Sequence, residues 1–180
     1  MRESDWSSDV CSSDLRLLNL KQILNEFLRH RREVVTRRTL YRLKKARHEG
    51  HIAEGKAVAL SNIDEMIQLI KESADAVEAK TKLLAQAWRS TLVEEMLSRT
   101  DLDLSMARPE GLPAQLGLQS AGYYLSEPQA DAILRMSLRN LTGLDQDSIV
   151  ADYKNIMAQI IDYLDILAKP ARITQIIHTE

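Results

Sequence analysis

Nine lysines and arginines fall in the nineteen positions 29–47, against the single acid Glu33, a local net charge of +8 in a 180-residue chain whose total is −2. Clustered cations of this kind can hold the phosphates of a polyanion, because each contact releases condensed counterions to solution. Arg31, Arg32, Arg37, Arg38 and Arg42 are the candidate positions for such contacts. A solvated helix face accounts for the same clustering, since solubility alone can call for it. No motif for reading base edges is present, so any contact here is expected to be independent of sequence.

His48, Glu49, His51 and Glu54 are the next group with chemical potential, because residues three apart share a helix face. They offer two imidazoles with neither a cysteine nor a third histidine nearby, which is a poor zinc set, and a surface patch is the expected reading. His30 and His178 have no partner that the sequence identifies. Nucleophilic catalysis needs a side chain activated by a base or a metal. Tyr41, Tyr153 and Tyr163 sit on helical seams, and no convergent set of acid, base and nucleophile is visible. No glycine loop of the Walker type appears. The site expectation is therefore no catalytic, no cofactor-binding and no metal-ligating residue.

These residues sit on helices. Leu17, Leu20, Leu24, Phe27, Arg31 and Val34 alternate steps of three and four, a seam for a partner helix with one arginine intruding. Leu28, Val34, Leu40, Tyr41 and Leu43 supply apolar positions within the cationic stretch. The pattern runs to about Arg47, roughly 30 residues or ~45 Å at 1.5 Å per residue. Gly50 and Gly55 weaken the helix without ending it, each by ~1 kcal/mol against alanine. Ile52, Ala59, Ile63, Met66 and Ile70 carry the apolar face on to about Lys71. Asp75 caps a short helix over 76–86, and Thr91 another over 92–98. Positions 100–122, with Pro109, Gly111, Pro113, Gly117 and Gly122, read as a loop. Ser126 with Gln129 opens a helix to about Leu141, capped at its C-terminus by Gly143. Ile149, Tyr153, Ile156, Ile160, Tyr163 and Leu167 form the cleanest heptad seam, which Lys169 and Pro170 end before a further helix begins.

The spacing therefore predicts an all-α chain, a long antiparallel coiled-coil hairpin with a small helical globular domain at its tip. The divisions are 16–72 for the first arm helices, 73–144 for the globular part, 145–168 for the return helix and 169–180 for the start of a following helix. Residues 1–15 stand apart. DWSSDVCSSDL at 5–15 is the in-frame translation of a common sequencing adapter, so this leader is expected to be foreign to the protein and without order. Without it, 23 basic and 22 acidic residues remain, and Cys11, the only cysteine, is gone. A chain with no thiol has no disulfide, which fits a cytoplasmic protein. No apolar run approaches the ~20 residues of a membrane span.

RHRREVVTRRT at 29–39, ALSNID at 59–64, EAKTKLL at 78–84 and the segment from YYL at 123–125 to LTGL at 141–144 stand in the order and near the spacing of one family. Over 16–180 the chain resembles the A subunits of bacterial DNA gyrase, type IIA topoisomerases. The corresponding chain of topoisomerase IV is the nearest alternative, and the insertion at 78–88 is more similar to gyrase. The resemblance implies a pair of long helices descending from DNA-cleaving domains to a small helical domain that dimerises as an exit gate. It makes the five arginines DNA-proximal candidates near the cavity for a passing duplex. It also implies that the nucleophilic tyrosine lies upstream, that ATP and magnesium belong to the B chain of gyrase, and that this segment alone neither cuts DNA nor hydrolyses ATP. The implied partners are a second copy of the chain, the gyrase B chain in an A2B2 complex, and double-stranded DNA, with no membrane.

Positions 123–144 are more apolar than one amphipathic stripe requires, and such an excess often marks a surface that a partner covers. Tyr123, Tyr124, Leu125, Ile133, Leu134, Met136, Leu138 and Leu141 are the candidate dimer contacts. An ordinary buried helix accounts for any one of them equally well. A helical interaction or nucleic-acid-binding module without gate function is the rival from another class.

Overall fold

The computed structural model describes residues 17–98, 104–136 and 143–180. The leader at 1–15 and the contact candidates Leu138 and Leu141 lie outside the described residues.

Asn19 starts the first helix, its side chain accepting the Gln22 N–H at 2.9 Å while the Gln22 side chain accepts the Asn19 N–H at 2.9 Å. From this reciprocal cap, α1 runs Leu20–Ser61, 42 residues without interruption. Gly55 lies inside it because another chain segment needs its space, and Gly50 faces the flexible end of a methionine. A Cβ on Gly55 would stand 2.7 Å from Cγ of Gln129, and one on Gly50 would stand 3.0 Å from Cε of Met157. The loss of helix propensity is offset by close packing.

Within the apolar face that runs on to about Lys71, Asn62 breaks the helix. Its amide donates to the Val58 carbonyl at 2.9 Å and the Arg89 carbonyl at 2.8 Å, so the side chain competes with the helix ladder and turns the chain into α2, Ile63–Lys71. Asp75 caps α3, Ala76–Ala85, accepting the Glu78 N–H at 2.7 Å. The next helix, α4 at Thr91–Ser98, is capped by Ser90 rather than Thr91, since the Ser90 hydroxyl oxygen takes the Val93 N–H at 3.2 Å.

The span expected to be only loop holds a small sheet. After β1 (Ala87–Trp88) and α4 come a short α5 (Leu104–Ala107), β2 (Gly117–Gln119) and β3 (Gly122–Tyr124). The strands are antiparallel in the order β1-β3-β2, and Trp88 and Leu118 are both registered with Tyr123. Gly122 permits this, with φ at 141° and the Trp88 carbonyl oxygen 2.9 Å from where a Cβ would be. The fold is mostly helical, and this sheet is its exception.

Gln129 then accepts the Ser126 N–H at 2.9 Å to open α6, Glu127–Leu134. Gly143 is the first residue of α7, Gly143–Ala168, and not the cap of the helix before it. Pro170 opens α8, Pro170–Thr179. The main packing is α1 against α7. Tyr153 meets Glu54, Met157 meets Gly50, and Glu180 meets Arg38 and Arg31, so the partners ascend as α1 descends and the helices are antiparallel.

The core gathers Leu43, Val58, Met66, Leu83, Trp88, Tyr123 and Ile160, with the Trp88 indole N–H donating to the Leu83 carbonyl at 3.0 Å. Within the cationic stretch the buried stripe is Val35, Thr39, Leu43 and Ala46. Leu28, Leu40 and Tyr41 are exposed, since α7 and α8 cover a face one position away from the one expected. The seam at Leu20, Leu24 and Phe27 is also exposed, no described segment reaching it.

Candidate functional site

Glu54 stands on α1 where the hairpin and α7 both arrive. The Tyr123 hydroxyl donates to its Oε2 at 2.7 Å, and the Tyr153 hydroxyl donates to its Oε1 at 3.0 Å. Each of these side chains comes from a different element, so one carboxylate ties α1, β3 and α7 together. Gln129 on α6 completes the junction, filling the space that Gly55 leaves. Its Nε2 donates to the His51 carbonyl at 2.6 Å and to the Tyr123 hydroxyl oxygen at 2.8 Å. Its Oε1 accepts the Ser126 N–H at 2.9 Å and the Ser126 hydroxyl at 3.3 Å.

His51 Nε2 and the Ser126 hydroxyl share a 2.7 Å hydrogen bond whose direction follows the ring tautomer. Burial, helped by His48 and Arg108, lowers the His51 pKa to about 4. Burial raises the Glu54 pKa, while the Tyr123 and Tyr153 hydrogen bonds and Arg108 oppose the shift. Both tyrosine hydroxyls are pushed above their ordinary value, first by burial and then by the Glu54 charge. Hydroxyls held in this way are poor nucleophiles, and the site's chemistry is cohesion.

A cavity of about 80 Å³ opens beside the junction, walled by His51, Glu54, Tyr123, Arg108 and apolar residues including Leu97 and Leu112. Arg108 is tied down on its own loop, donating to the Pro113 and Leu116 carbonyls. The expected surface patch therefore divides. His48 and Glu49 are exposed, whereas His51 and Glu54 are taken into the junction. Sequence reasoning missed this site because Tyr123, Gln129 and Tyr153 are remote in the chain. The one available signal was the pair of glycines in a helix that must have had a reason to keep them. Among the described residues no three His, Cys, Asp or Glu side chains converge as a metal site.

The cationic stretch divides too. Arg31 and Arg38 bind the two carboxylate oxygens of Glu180, one each, and are half-buried. This holds the Glu180 carboxyl below its usual range, chiefly through the Arg38 hydrogen bond. Arg47 is engaged with the Met106 carbonyl and Glu110, and Arg29 with Glu26. Arg32, Arg37 and Arg42 are exposed and, among the described residues, make no ion pair.

The dimer-contact candidates are placed as follows. Tyr123 at 1 %, Leu125 at 0 % and Ile133 at 7 % exposure are already covered within the chain, because all three pack into its core. Tyr124, Leu134 and Met136 remain half-exposed. Leu134 and Met136 face α2 across an apolar groove of about 270 Å³ that Ile63, Ile67 and Ile70 line from the other side. The α2 residues carried no such expectation, their periodicity being that of any arm helix.

The family model for the A subunits of DNA gyrase and topoisomerase IV matches residues 10–180. The DNA gyrase A subunit of Neisseria gonorrhoeae is 76 % identical over 165 residues, 92 % of this chain and 18 % of that protein. Its namesake from Pseudomonas aeruginosa is 52 % identical over the same shares. That of Escherichia coli is 48 % identical over 138 residues, 77 % of this chain and 16 % of that protein. The chain thus spans under a fifth of the length of these relatives.

Proposed function

The chain belongs to the family of DNA gyrase and topoisomerase IV A subunits, and we propose that within it this segment is the arm and exit-gate dimerisation domain of a gyrase A protein. On this reading two copies join through the tip while a cut duplex is held open elsewhere in the parent enzyme, and they part to release the duplex that has passed. The role is mechanical, and it asks for a stiff lever, a separable contact surface and a surface along which DNA can slide.

The apolar groove between α2 and α6 carries the proposal. It lies at the end of α1 opposite the arginines, about 30 Å further along the helix at 1.5 Å per residue. It presents half-exposed Ile67, Leu134 and Met136 without cationic residues other than Lys71. A surface of this kind suits a contact that must hold and then open. The antiparallel α1 and α7, fastened by Glu54, supply the lever. Arg32, Arg37 and Arg42 supply mobile phosphate contacts that do not read bases.

The rest of the parent's apparatus is proposed on the same terms: cytoplasmic, assembled with the gyrase B chain, with ATP and magnesium bound there and the DNA-cleaving tyrosine on a part of the A chain outside this segment. Among the described residues no helix is long and apolar enough to cross a membrane. The test is a chimera in which residues 16–180 replace the matching segment of the Neisseria gonorrhoeae protein. Supercoiling by the chimera together with the B chain is the expected result. A soluble chimera that cleaves DNA but cannot dimerise through its tip contradicts the reading.

A further inference from the structure

No residue of α8 is buried, and Ile173, Ile176 and Ile177 are only half-covered. Ion pairs fasten this helix at both ends. At its start Arg172 holds Asp162 at 2.8 Å and Asp165 at 3.3 Å, both on α7. At its end Glu180, whose N–H continues the helix ladder to the Ile176 carbonyl at 3.1 Å, gives one carboxylate oxygen to Arg38 and the other to Arg31. Those two arginines stand about 10 Å apart along α1, at 1.5 Å per residue, yet their guanidiniums converge on one carboxylate. Two guanidiniums meeting on a small oxyanion are not selective for glutamate. A phosphodiester carries one negative charge and two free oxygens, as the carboxylate does, and arginine takes either. Surface ion pairs are individually weak, so such an occupant is exchangeable.

We propose that Arg31 and Arg38 form a phosphodiester site that Glu180 fills when no DNA is bound, so that a duplex and helix α8 compete for the same two arginines. This rests on the reading of the arm as a DNA surface. A duplex held by Arg32, Arg37 and Arg42 has phosphates within the same stretch of α1, and a phosphate that enters the twin-arginine site displaces the Glu180 carboxylate. Helix α8 is then fastened only at its first turn, by Arg172. A free helix of ten residues is marginal in water, so the displaced α8 loses its protection. The coupling is reciprocal: the docking free energy that the duplex removes from α8 is what α8 takes from the affinity for the duplex.

The experiment uses the full 180-residue chain and a labelled duplex of about 20 base pairs at one fixed salt concentration, with affinity read by fluorescence anisotropy. Glu180→Gln is expected to bind about two- to tenfold more tightly than the wild type, the reach of two surface ion pairs. Glu33→Gln removes the same charge from an exposed position among the arginines and is expected to give a smaller gain. In a chain carrying Arg31→Gln and Arg38→Gln, adding Glu180→Gln is expected to gain no more than adding Glu33→Gln does, since the arginines it would free are absent. Saturating duplex is also expected to speed amide hydrogen exchange at 173–179 in the wild type by at least about threefold. With duplex binding intact, equal gains from Glu180→Gln and Glu33→Gln, or unchanged exchange in α8, overturn the proposal and leave the arm a DNA surface. Absence of duplex binding in the wild type and Glu180→Gln alike overturns both.

Discussion

Tyr153 and Glu54, ninety-nine positions apart, meet hydroxyl to carboxylate at 3.0 Å in the seam between α1 and α7. Tyr153 is only 1 % exposed, and its ring is held in the core beside Met157 and Ile160. Replacing it with phenylalanine keeps the ring and deletes one of two donors to a buried acid. Tyr153→Phe is expected to lower the unfolding free energy at pH 8 by ~1.5–3 kcal/mol, the range for hydrogen bonds to charged groups. Urea denaturation measures it, and a change within ~0.5 kcal/mol contradicts the assignment of this bond as a fastening between the helices.

The two glycines of α1 separate packing from propensity. Gly55→Ala drives a Cβ to 2.7 Å and 2.8 Å from Cγ and Cβ of Gln129, whose own side chain is pinned by its hydrogen bonds. Destabilisation of ~1–3 kcal/mol is expected despite the gain in helix propensity. At Gly50 the nearest atom is the flexible end of Met157 at 3.0 Å. Gly50→Ala is therefore expected to be close to neutral, and thermal unfolding of the two variants side by side checks the difference.

Of the five candidate arginines, Arg32, Arg37 and Arg42 are exposed, while Arg31 and Arg38 are occupied by Glu180. Reversing all three to glutamate is expected to weaken binding of a short duplex and to reduce the slope of log K against log salt by up to ~0.9 for each phosphate no longer neutralised. Glu180→Gln, which releases the other two arginines, is expected to act in the opposite direction. Fluorescence anisotropy across a salt series reads both, and an unchanged slope in the triple variant places the DNA-binding surface elsewhere.

Ile67 is half-exposed on the groove face of α2, and its substitution tests the contact surface without emptying the core. Ile67→Asp is expected to dissociate the proposed dimer while leaving helical circular dichroism intact, because a charge desolvated at an interface centre is costly. Tyr123→Asp, in contrast, is expected to prevent folding, since that side chain is buried within one chain. Sedimentation velocity distinguishes the two failures.

How far the sequence carried the account depended on the range of the interaction concerned. Local signals were legible: Asp75 as a cap, Ser126 with Gln129 as a helix start, Pro170 as a boundary, and the heptads of α7. Asn62 breaking the long helix was not, because its bond to the Arg89 carbonyl depends on a turn made 27 residues later. The sheet escaped notice because its strands are two or three residues long, too short to show an alternating pattern. Tyr123 drew attention for its apolar bulk, yet its fate was set by the pairing of β3 with β1 and by Glu54, neither of which local spacing reveals. His51 and Glu54 read as a surface patch since a helix without tertiary context does not disclose which of its faces is covered.

The most direct measurement of the central claim is the molar mass of residues 16–180 by light scattering through a dilution series, beside the full chain of 20.4 kDa. The account predicts a dimer that persists on dilution and that Ile67→Asp converts to a folded monomer. A wild-type chain that is folded and monomeric at every concentration contradicts the claim that this segment contains the working contact of the gate.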